Sequence, residues 1–138
     1  MESISWVGVI IATLSSFVVG SIWYMPSTFM PAWQKLTGTS DAETKKNFPM
    51  AMAWIGVSSL ITAYILAHFM VYTQSATGTA GVTNGIQTAL WAWLGLCATT
   101  AVSAGAMESR GVNYYLITVG NRLVTLLVMG IILGLFMK

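Results

Sequence analysis

Four long apolar segments limit how this chain can fold more than any other feature of its sequence. They cover Ile4–Met25, Pro49–Thr73, Gly85–Met107 and Tyr114–Phe136. A helix that crosses the hydrocarbon core of a bilayer needs about 20 mainly apolar residues, and every one of these segments is long enough. Aromatic residues, whose rings sit well at the headgroup level, mark several of the segment ends. The sequence therefore predicts one all-α domain over residues 1–138, a polytopic integral membrane protein with four transmembrane helices.

The composition excludes several classes of protein. Charged residues make up 7% of the chain and apolar residues 56%, whereas a soluble domain carries about 25% charged residues. Most of the surface must therefore face membrane lipid. Six basic and four acidic residues are too few for a nucleic-acid patch. Paired carboxylates, a Ser–His–Asp set and metal-ligand spacing are all missing, so we expect no enzymatic activity, no cofactor and no metal. The single cysteine, Cys97, is expected to be a small buried apolar side chain.

Positive charge is concentrated at one end of the predicted bundle. The connections 26–48 and 108–113 lie at that end and hold four basic residues: Lys35, Lys45, Lys46 and Arg110. The opposite end holds only Lys138. Lysine and arginine are enriched in cytoplasmic loops. We therefore expect both basic connections in the cytoplasm and both termini outside, in a cell inner membrane.

Two connections carry capping patterns for the helices that follow them. Ser40 and Glu43 have the spacing of a capping box. The uncharged connection 74–84 predicts a short exposed turn, and Asn84 with Gln87 is expected to cap the third helix.

The first connection is predicted to contain a short helix on the membrane surface. Pro26 ends the first span, and Phe29, Met30, Trp33 and Leu36 then recur at helical spacing. The interfacial motif comprises Trp23, Tyr24, Pro26, Phe29 and Trp33. Two interpretations stay open: the segment seals the cytoplasmic helix ends, or it acts as a mobile gate.

Small residues at a spacing of four mark the faces on which helices are expected to pack, because close backbone approach holds helices together in lipid. The first helix has the row Gly8, Ala12, Ser16 and Gly20. The second has Ser59, Ala63 and Ala67, and the fourth has Gly130 and Gly134. Four helices offer more such faces than one small bundle uses, so we expect a homo-oligomer.

Every predicted span places polar residues near the middle of the membrane. Counting inward from the cytoplasmic ends reaches Ser16, Ser59, Thr99 and the pair Asn121–Arg122. An arginine at that depth costs about 2.5–3.5 kcal/mol on insertion scales. Three interpretations stay open for this candidate polar layer. Arg122 is held by structural partners, it lines a water-filled cavity, or it awaits an anion.

Glu108 and Arg110, at the cytoplasmic end of the third and fourth spans, form a candidate gate or ion pair. Glu108 is also the carboxylate that a snorkelling Arg122 would meet. In each structural interpretation Arg122 is expected to face protein and to avoid lipid.

Two blocks resemble a known family. The stretch GSIWYMPSTFMPAWQKLTG, residues 20–38, and the stretch MESRGVNYYLITVGNRLVTLLVMG, residues 107–130, are similar to the signatures of domain of unknown function family 1761. The resemblance implies four helices in a membrane of bacterial type, and it implies no activity. It also implies an aromatic residue or histidine near position 122, from which Arg122 departs.

The sequence thus leaves two functional classes open. The first is a channel or transporter for a small solute or anion, built around the polar layer. It predicts that Ser16, Ser59, Thr99 and Arg122 are accessible to water. The second is a non-catalytic membrane module that binds lipid or partner proteins. It predicts a dry polar layer, with the activity at the interfacial motif.

Overall fold

The computed structural model describes residues 4–137 and confirms the all-α class. Within that range the helices are α1 (Trp6–Trp23), α2 (Met30–Thr37), α3 (Asp41–Thr77), α4 (Gly81–Ala92), α5 (Thr99–Glu108) and α6 (Val112–Phe136). A π-helical segment, Trp93–Ala98, joins α4 to α5, so that Gly81–Glu108 is one continuous helix of 28 residues. This helix, α1, α3 and α6 are each long and apolar enough to cross a membrane. The short α2 occupies the position predicted for the surface helix.

The second long helix begins earlier than the apolar span that predicted it. The Ser40 hydroxyl accepts the backbone N–H of Glu43 at 3.2 Å, and the Glu43 carboxylate accepts the N–H of Ser40 at 2.9 Å. This capping box starts α3 at Asp41, and the helix then runs through Pro49. Proline cannot donate one of the helical hydrogen bonds, and α3 continues past it for 28 further residues, to Thr77.

The capping role predicted for Asn84 is wrong. The third long helix begins at Gly81, with Ala80 before it, and its first residue has no side-chain cap. Gly81 adopts a positive φ of 64°, which a glycine reaches without steric strain. Asn84 lies one turn inside the helix, where its side chain is buried.

Helices α4 and α6 approach most closely at two pairs of glycines. A Cβ on Gly85 would overlap the backbone carbonyl of Gly130, and a Cβ on Gly134 would lie 2.5 Å from the carbonyl oxygen of Gly81. Both helices therefore contribute a glycine pair four residues apart, which lets the two backbones touch.

Helix α1 packs on the other side of α6 through part of its predicted small face. Gly8, Ala12 and Ser16 are buried, and a Cβ on Gly8 would lie 3.0 Å from the Cβ of Phe136. Gly20 has open space around it, because a Cβ on this residue would meet no neighbouring atom within 4 Å. The row of small residues in close contact therefore ends at Ser16, and beyond it α1 contacts α6 through the larger side chain of Trp23.

The two halves of the bundle differ in packing. We call the end that holds residues 24–40 and 109–111 the basic end, and the opposite end, with the 78–80 turn, the terminal end. Eleven buried apolar residues form one core in the terminal half: Val9, Ala12, Ala63, Leu66, Ala67, Met70, Ala89, Leu126, Met129, Leu133 and Met137. In the basic half, α5 and residues 41–58 of α3 contain no buried residue. The bundle is thus tightly packed in its terminal half and more open in its basic half, where the Tyr115 ring still packs against Gly105. Lys138, which was counted in predicting the orientation in the membrane, lies outside the described residues.

Candidate functional site

Arg122 lines a groove between α5 and α6 in the open half of the bundle. The residue lies ten positions after Val112, at the start of α6, or about 15 Å along the helix. The groove has a volume of about 310 Å³. Its walls are formed by Leu96, Cys97, Thr100, Ala101, Ala104, Thr118, Val119 and Arg122. We call it the arginine groove.

The expectation that Arg122 faces protein and avoids lipid stays a prediction, because the residue lines a groove between two helices of a single chain. Its side chain is exposed. The reason lies in the helix opposite: α4 packs tightly on α6, but beyond the π-helical segment α5 makes few contacts with it. Arg122 sits at the level where the two helices have separated.

The predicted polar layer is divided between the core and the surface. Ser16 and Ser59 are 5% and 6% exposed, and the Ser16 hydroxyl donates to the Thr13 carbonyl at 2.7 Å. Thr99 is exposed, and its hydroxyl donates to the Gly95 carbonyl at 2.7 Å. Asn121 is half-buried, and its amide nitrogen is buried without a hydrogen-bond partner. Of these five residues, Arg122 alone lines the arginine groove.

Glu108 forms an ion pair with Arg110 and not with Arg122. The Arg110 Nε lies 3.1 Å from a Glu108 carboxylate oxygen, and the Arg110 guanidinium lies 5.2 Å from the centre of the Tyr114 ring. The other ion pair within residues 4–137 joins Lys45 to Asp41. Within the described residues, Arg122 therefore belongs to neither ion pair.

The remaining polar groups of the arginine groove are already engaged. The Thr100 hydroxyl donates to the Leu96 carbonyl, and the Thr118 hydroxyl donates to the Tyr114 carbonyl at 3.0 Å. Intrahelical bonds of this kind satisfy the only hydrogen each hydroxyl has to donate. Apart from the weak S–H donor of Cys97, the guanidinium of Arg122 supplies the free donors of the groove, and the rest of its wall is apolar.

A second groove adjoins the first on the side of α3. Its volume is about 220 Å³. Its walls are formed by Ile61, Thr62, Ile65, Leu66, Phe69, Ala92, Leu96, Cys97 and Leu126. Leu96 and Cys97, in the π-helical segment, belong to both grooves. We call this one the α3 groove.

Two tryptophans anchor the part of α6 that carries Arg122. The indole N–H of Trp23 donates to the carbonyl of Ile117 at 3.0 Å, and that of Trp93 donates to the carbonyl of Val119 at 3.0 Å. The Trp23 ring lies against Gly120, where a Cβ would be 3.2 Å from the nearest ring atom. The helix is thus held from both sides just before Arg122.

The interfacial motif is packed together. The ring centres of Trp23 and Phe29 are 4.7 Å apart, and those of Tyr24 and Trp33 are 6.1 Å apart. Thr28, which the sequence interpretation passed over, joins the turn by donating to carbonyls at the end of α1, including that of Trp23 at 2.7 Å. Pro26 is exposed. The contacts of the aromatic rings tie α1 to α2 and α6.

The sequence interpretation missed a buried polar network between α3 and α4. Asn84 is 1% exposed and Thr88 is 3% exposed. The Asn84 amide donates to the Met70 carbonyl at 2.8 Å, and its carbonyl oxygen accepts the hydroxyls of Thr73 at 2.6 Å and Thr88 at 3.1 Å. The spacing of four between Asn84 and Thr88, two polar residues on one helical face, was the available signal.

The partner glycines of the α4–α6 contact were also missed. The small-residue spacing that singled out Gly130 and Gly134 occurs in Gly81 and Gly85 too. This second pair also predicts a packing face, and it would place the third span against the fourth.

We expect Trp93→Phe to lower the free energy of unfolding by about 1 kcal/mol, because a hydrogen bond between transmembrane helices contributes about 0.6 kcal/mol on average and up to about 1.7 kcal/mol. The loss of ring contacts adds to this. Trp91→Phe is the matched control, since Trp91 lies two residues away on the same helix and is 66% exposed. Denaturant unfolding in detergent micelles measures both. Equal effects in the two variants would show that the hydrogen bond to Val119 does not contribute to the free energy of unfolding.

Four long apolar helices, a closed terminal half and a cationic groove in the open half define a small all-α membrane-embedded protein. The chain belongs to the family described as Protein of unknown function (DUF1761), whose model matches residues 7–134. The resemblance predicted from residues 20–38 and 107–130 is thereby confirmed. Comparison with curated proteins and with solved structures found no match.

Proposed function

We propose that this protein binds an anionic solute at Arg122 and is a membrane-embedded carrier or binding protein. The observation that carries the proposal is the position of Arg122 in an open groove, about 15 Å along α6, outside both ion pairs of the described chain. A buried or lipid-facing arginine needs a counter-charge or water. A bound anion would supply the counter-charge.

The chemistry of the guanidinium suits this role. Its planar array of five N–H donors matches carboxylate and phosphate groups, often through two parallel hydrogen bonds, and it stays charged at every physiological pH. The low dielectric of the surrounding apolar wall strengthens such a pair relative to water. Trp23 and Trp93, which hold α6 just before Arg122, would fix the position of the charge.

The asymmetry of the bundle supports entry from the basic end. The terminal half is closed by the glycine contacts of α4 and α6 and by the Asn84 network. In the basic half α5 has no buried residue. An anion entering from this end would pass the Tyr115 ring, which packs against Gly105 beside the groove. A continuous pore through one chain finds no support in this arrangement, so we favour a binding protein or carrier over a channel.

For the orientation in the membrane we propose that the basic end lies in the cytoplasm and both termini lie outside, in a cell inner membrane. The support is the position of Lys35, Lys45, Lys46 and Arg110 at that end, since basic residues are enriched in cytoplasmic loops. An anion in the cytoplasm, or in the cytoplasmic leaflet, would then meet the arginine groove.

A second candidate is a non-catalytic membrane module that assembles with further copies of itself or with a partner protein. The observation that favours it is α5, a helix of ten residues with none buried. Under this alternative a second chain would cover α5 and Arg122. It predicts that Arg122→Gln changes the mass of the assembly in native mass spectrometry, whereas the anion-binding proposal predicts an unchanged mass.

The single cysteine offers a direct test of anion binding. Cys97 lines the arginine groove together with Arg122, so a bound anion should shield its thiol. The rate of Cys97 alkylation by iodoacetamide, a neutral reagent, is measured in nanodiscs of zwitterionic lipid. Acetate, benzoate, phosphate and decanoate are each added in turn. We expect at least one of them to slow the alkylation about tenfold or more at saturation.

Two variants make the test specific. Arg122→Gln should abolish the protection, and Arg110→Gln, which removes a positive charge from the same end of the bundle, should retain it. Each variant is compared with itself with and without the anion, because the charge of Arg122 also affects the thiolate fraction of Cys97. The proposal fails if no anion protects the wild type, or if protection persists in Arg122→Gln.

A further inference from the structure

We infer that the ligand of this site is an amphiphilic monocarboxylate, a single carboxylate on an unbranched alkyl chain. Its headgroup would bind Arg122, and its chain would cross Leu96 and Cys97 into the α3 groove. This inference rests on the proposed anion site and names its class of ligand. Charge, hydrogen-bonding capacity and the shape of the two grooves each support it.

The charge of the site selects a monoanion. Arg122 is the one charged residue in the wall of the arginine groove, and the α3 groove has none. A carboxylate neutralises one guanidinium, whereas a phosphate dianion would leave an uncompensated negative charge among apolar side chains. Moving such a charge out of water is unfavourable.

The hydrogen-bonding groups select a headgroup that only accepts. The guanidinium of Arg122 offers donors and no acceptor. The hydroxyls of Thr100 and Thr118 already donate to backbone carbonyls. The oxygens of Thr100 and Thr118 can still accept, but a ligand with several hydroxyl groups, such as a sugar, would leave most of its donors and acceptors without partners, and each one is costly. A carboxylate presents two acceptor oxygens and nothing further to satisfy.

The shape of the site provides room for an apolar tail. The arginine groove, at about 310 Å³, and the α3 groove, at about 220 Å³, each exceed the space for a single small ion, given that one water takes about 30 Å³. On α6 the α3 groove begins at Leu126, one helical turn beyond Arg122. The Thr62 hydroxyl on its wall donates to the Ser58 carbonyl at 2.8 Å, so this wall too presents an apolar surface.

The test extends the alkylation assay with ligands that differ in one property at a time. Decanoate has the charge and the chain, acetate has the charge alone, and decanol has the chain alone. We expect decanoate to slow Cys97 alkylation about tenfold or more at concentrations at which acetate and decanol change the rate less than twofold. Hexanoate should fall between acetate and decanoate.

A variant of the α3 groove tests where the tail lies. Ile65 lines this groove and is 43% exposed, so Ile65→Trp should fill the space without disturbing the core. Leu60→Trp is the matched control, because Leu60 is 44% exposed and lies outside both grooves. We expect the protection by decanoate to weaken about fivefold or more in Ile65→Trp and to stay unchanged in Leu60→Trp.

The outcomes separate this inference from the proposal beneath it. If acetate and decanoate protected Cys97 equally and Arg122→Gln lost this protection, the inference of an amphiphilic ligand would be overturned. The proposed anion site would stand. Equal protection by decanol and decanoate would overturn the inference, since the charge would then be irrelevant. Unchanged decanoate protection in Ile65→Trp would overturn the placement of the tail. Protection by no ligand at all would overturn both the inference and the proposed function.

Discussion

Gly85→Ala is expected to lower the free energy of unfolding by about 3 kcal/mol, the upper end of the usual effect of over-packing. The added methyl group would overlap the carbonyl of Gly130. A flexible side chain could rotate away from such an overlap, but a helical backbone carbonyl cannot. The two helices must therefore separate along their tightest contact. Denaturant unfolding in detergent micelles measures the loss.

The same substitution at Gly20 is the matched control. A methyl group there meets no atom within 4 Å, and alanine favours a helix over glycine by about 0.8–1.0 kcal/mol. Gly20→Ala should therefore leave the protein equally stable or slightly more stable. If Gly85→Ala behaved in the same way as Gly20→Ala, the close approach of α4 and α6 would be wrong.

A double variant tests whether one interface accounts for both glycines. Gly130→Ala should be as destabilising as Gly85→Ala, because a methyl group on Gly130 would overlap the Gly85 carbonyl in turn. Once the helices have separated for one methyl group, the second adds little. The combined loss should therefore be smaller than the sum of the two single losses, as is usual for residues in contact.

Asn84→Leu is expected to lower the free energy of unfolding by about 1–2 kcal/mol, less than either glycine substitution. Leucine has the same branched shape as asparagine but makes none of the hydrogen bonds to Met70, Thr73 and Thr88. Each interhelical bond in a membrane contributes about 0.6 kcal/mol on average. The loss stays moderate because the Thr73 hydroxyl can also donate to the Phe69 carbonyl at 2.9 Å.

Gln87→Leu is the control for this substitution. Gln87 lies three residues beyond Asn84 on the same helix, and its side chain is exposed. The two variants differ in burial and share the change from amide to hydrocarbon, so Gln87→Leu should change stability by less than about 0.5 kcal/mol. A comparable loss in both would mean that the network between α3 and α4 contributes nothing specific.

These two contacts bear on the proposed function as well as on stability. They close the terminal half of the bundle, opposite the groove that holds Arg122. A carrier would have to open this half to release its ligand on the other side of the membrane. Variants that loosen either contact without unfolding the chain would then be expected to raise the rate of ligand release on that side, which a flux assay in liposomes measures.

Part of this organisation could be predicted from local sequence alone. The long apolar helices follow from segments of more than 20 mainly apolar residues, because length and composition by themselves decide whether a segment can cross a bilayer. The short helix α2 and the capping box of Ser40 and Glu43 also depend on residues within one or two turns of each other. The family signature at residues 20–38 is local in the same sense.

Other predictions failed because they needed the partner helix. The position of Asn84 after a turn predicts a cap, yet the neighbouring α3 provides the Met70 carbonyl and the Thr73 hydroxyl that hold its side chain inside the bundle. Gly20 continues the row of small residues on α1, but no neighbouring atom lies within 4 Å of the place that its Cβ would occupy. In each case the side chain was interpreted correctly as polar or small, and its surroundings came from another part of the chain.

The sequence by itself determined a membrane-embedded bundle with long apolar helices, one short surface helix and a lone arginine near the middle of a span, because apolar length and charge are properties of each segment. The tertiary structure alone decided what the arginine faces. The glycines of α4 hold that helix against α6, the π-helical segment ends this contact, and α5 then leaves Arg122 exposed in a groove. Such an arrangement depends on backbone approach between distant segments, which no single segment specifies.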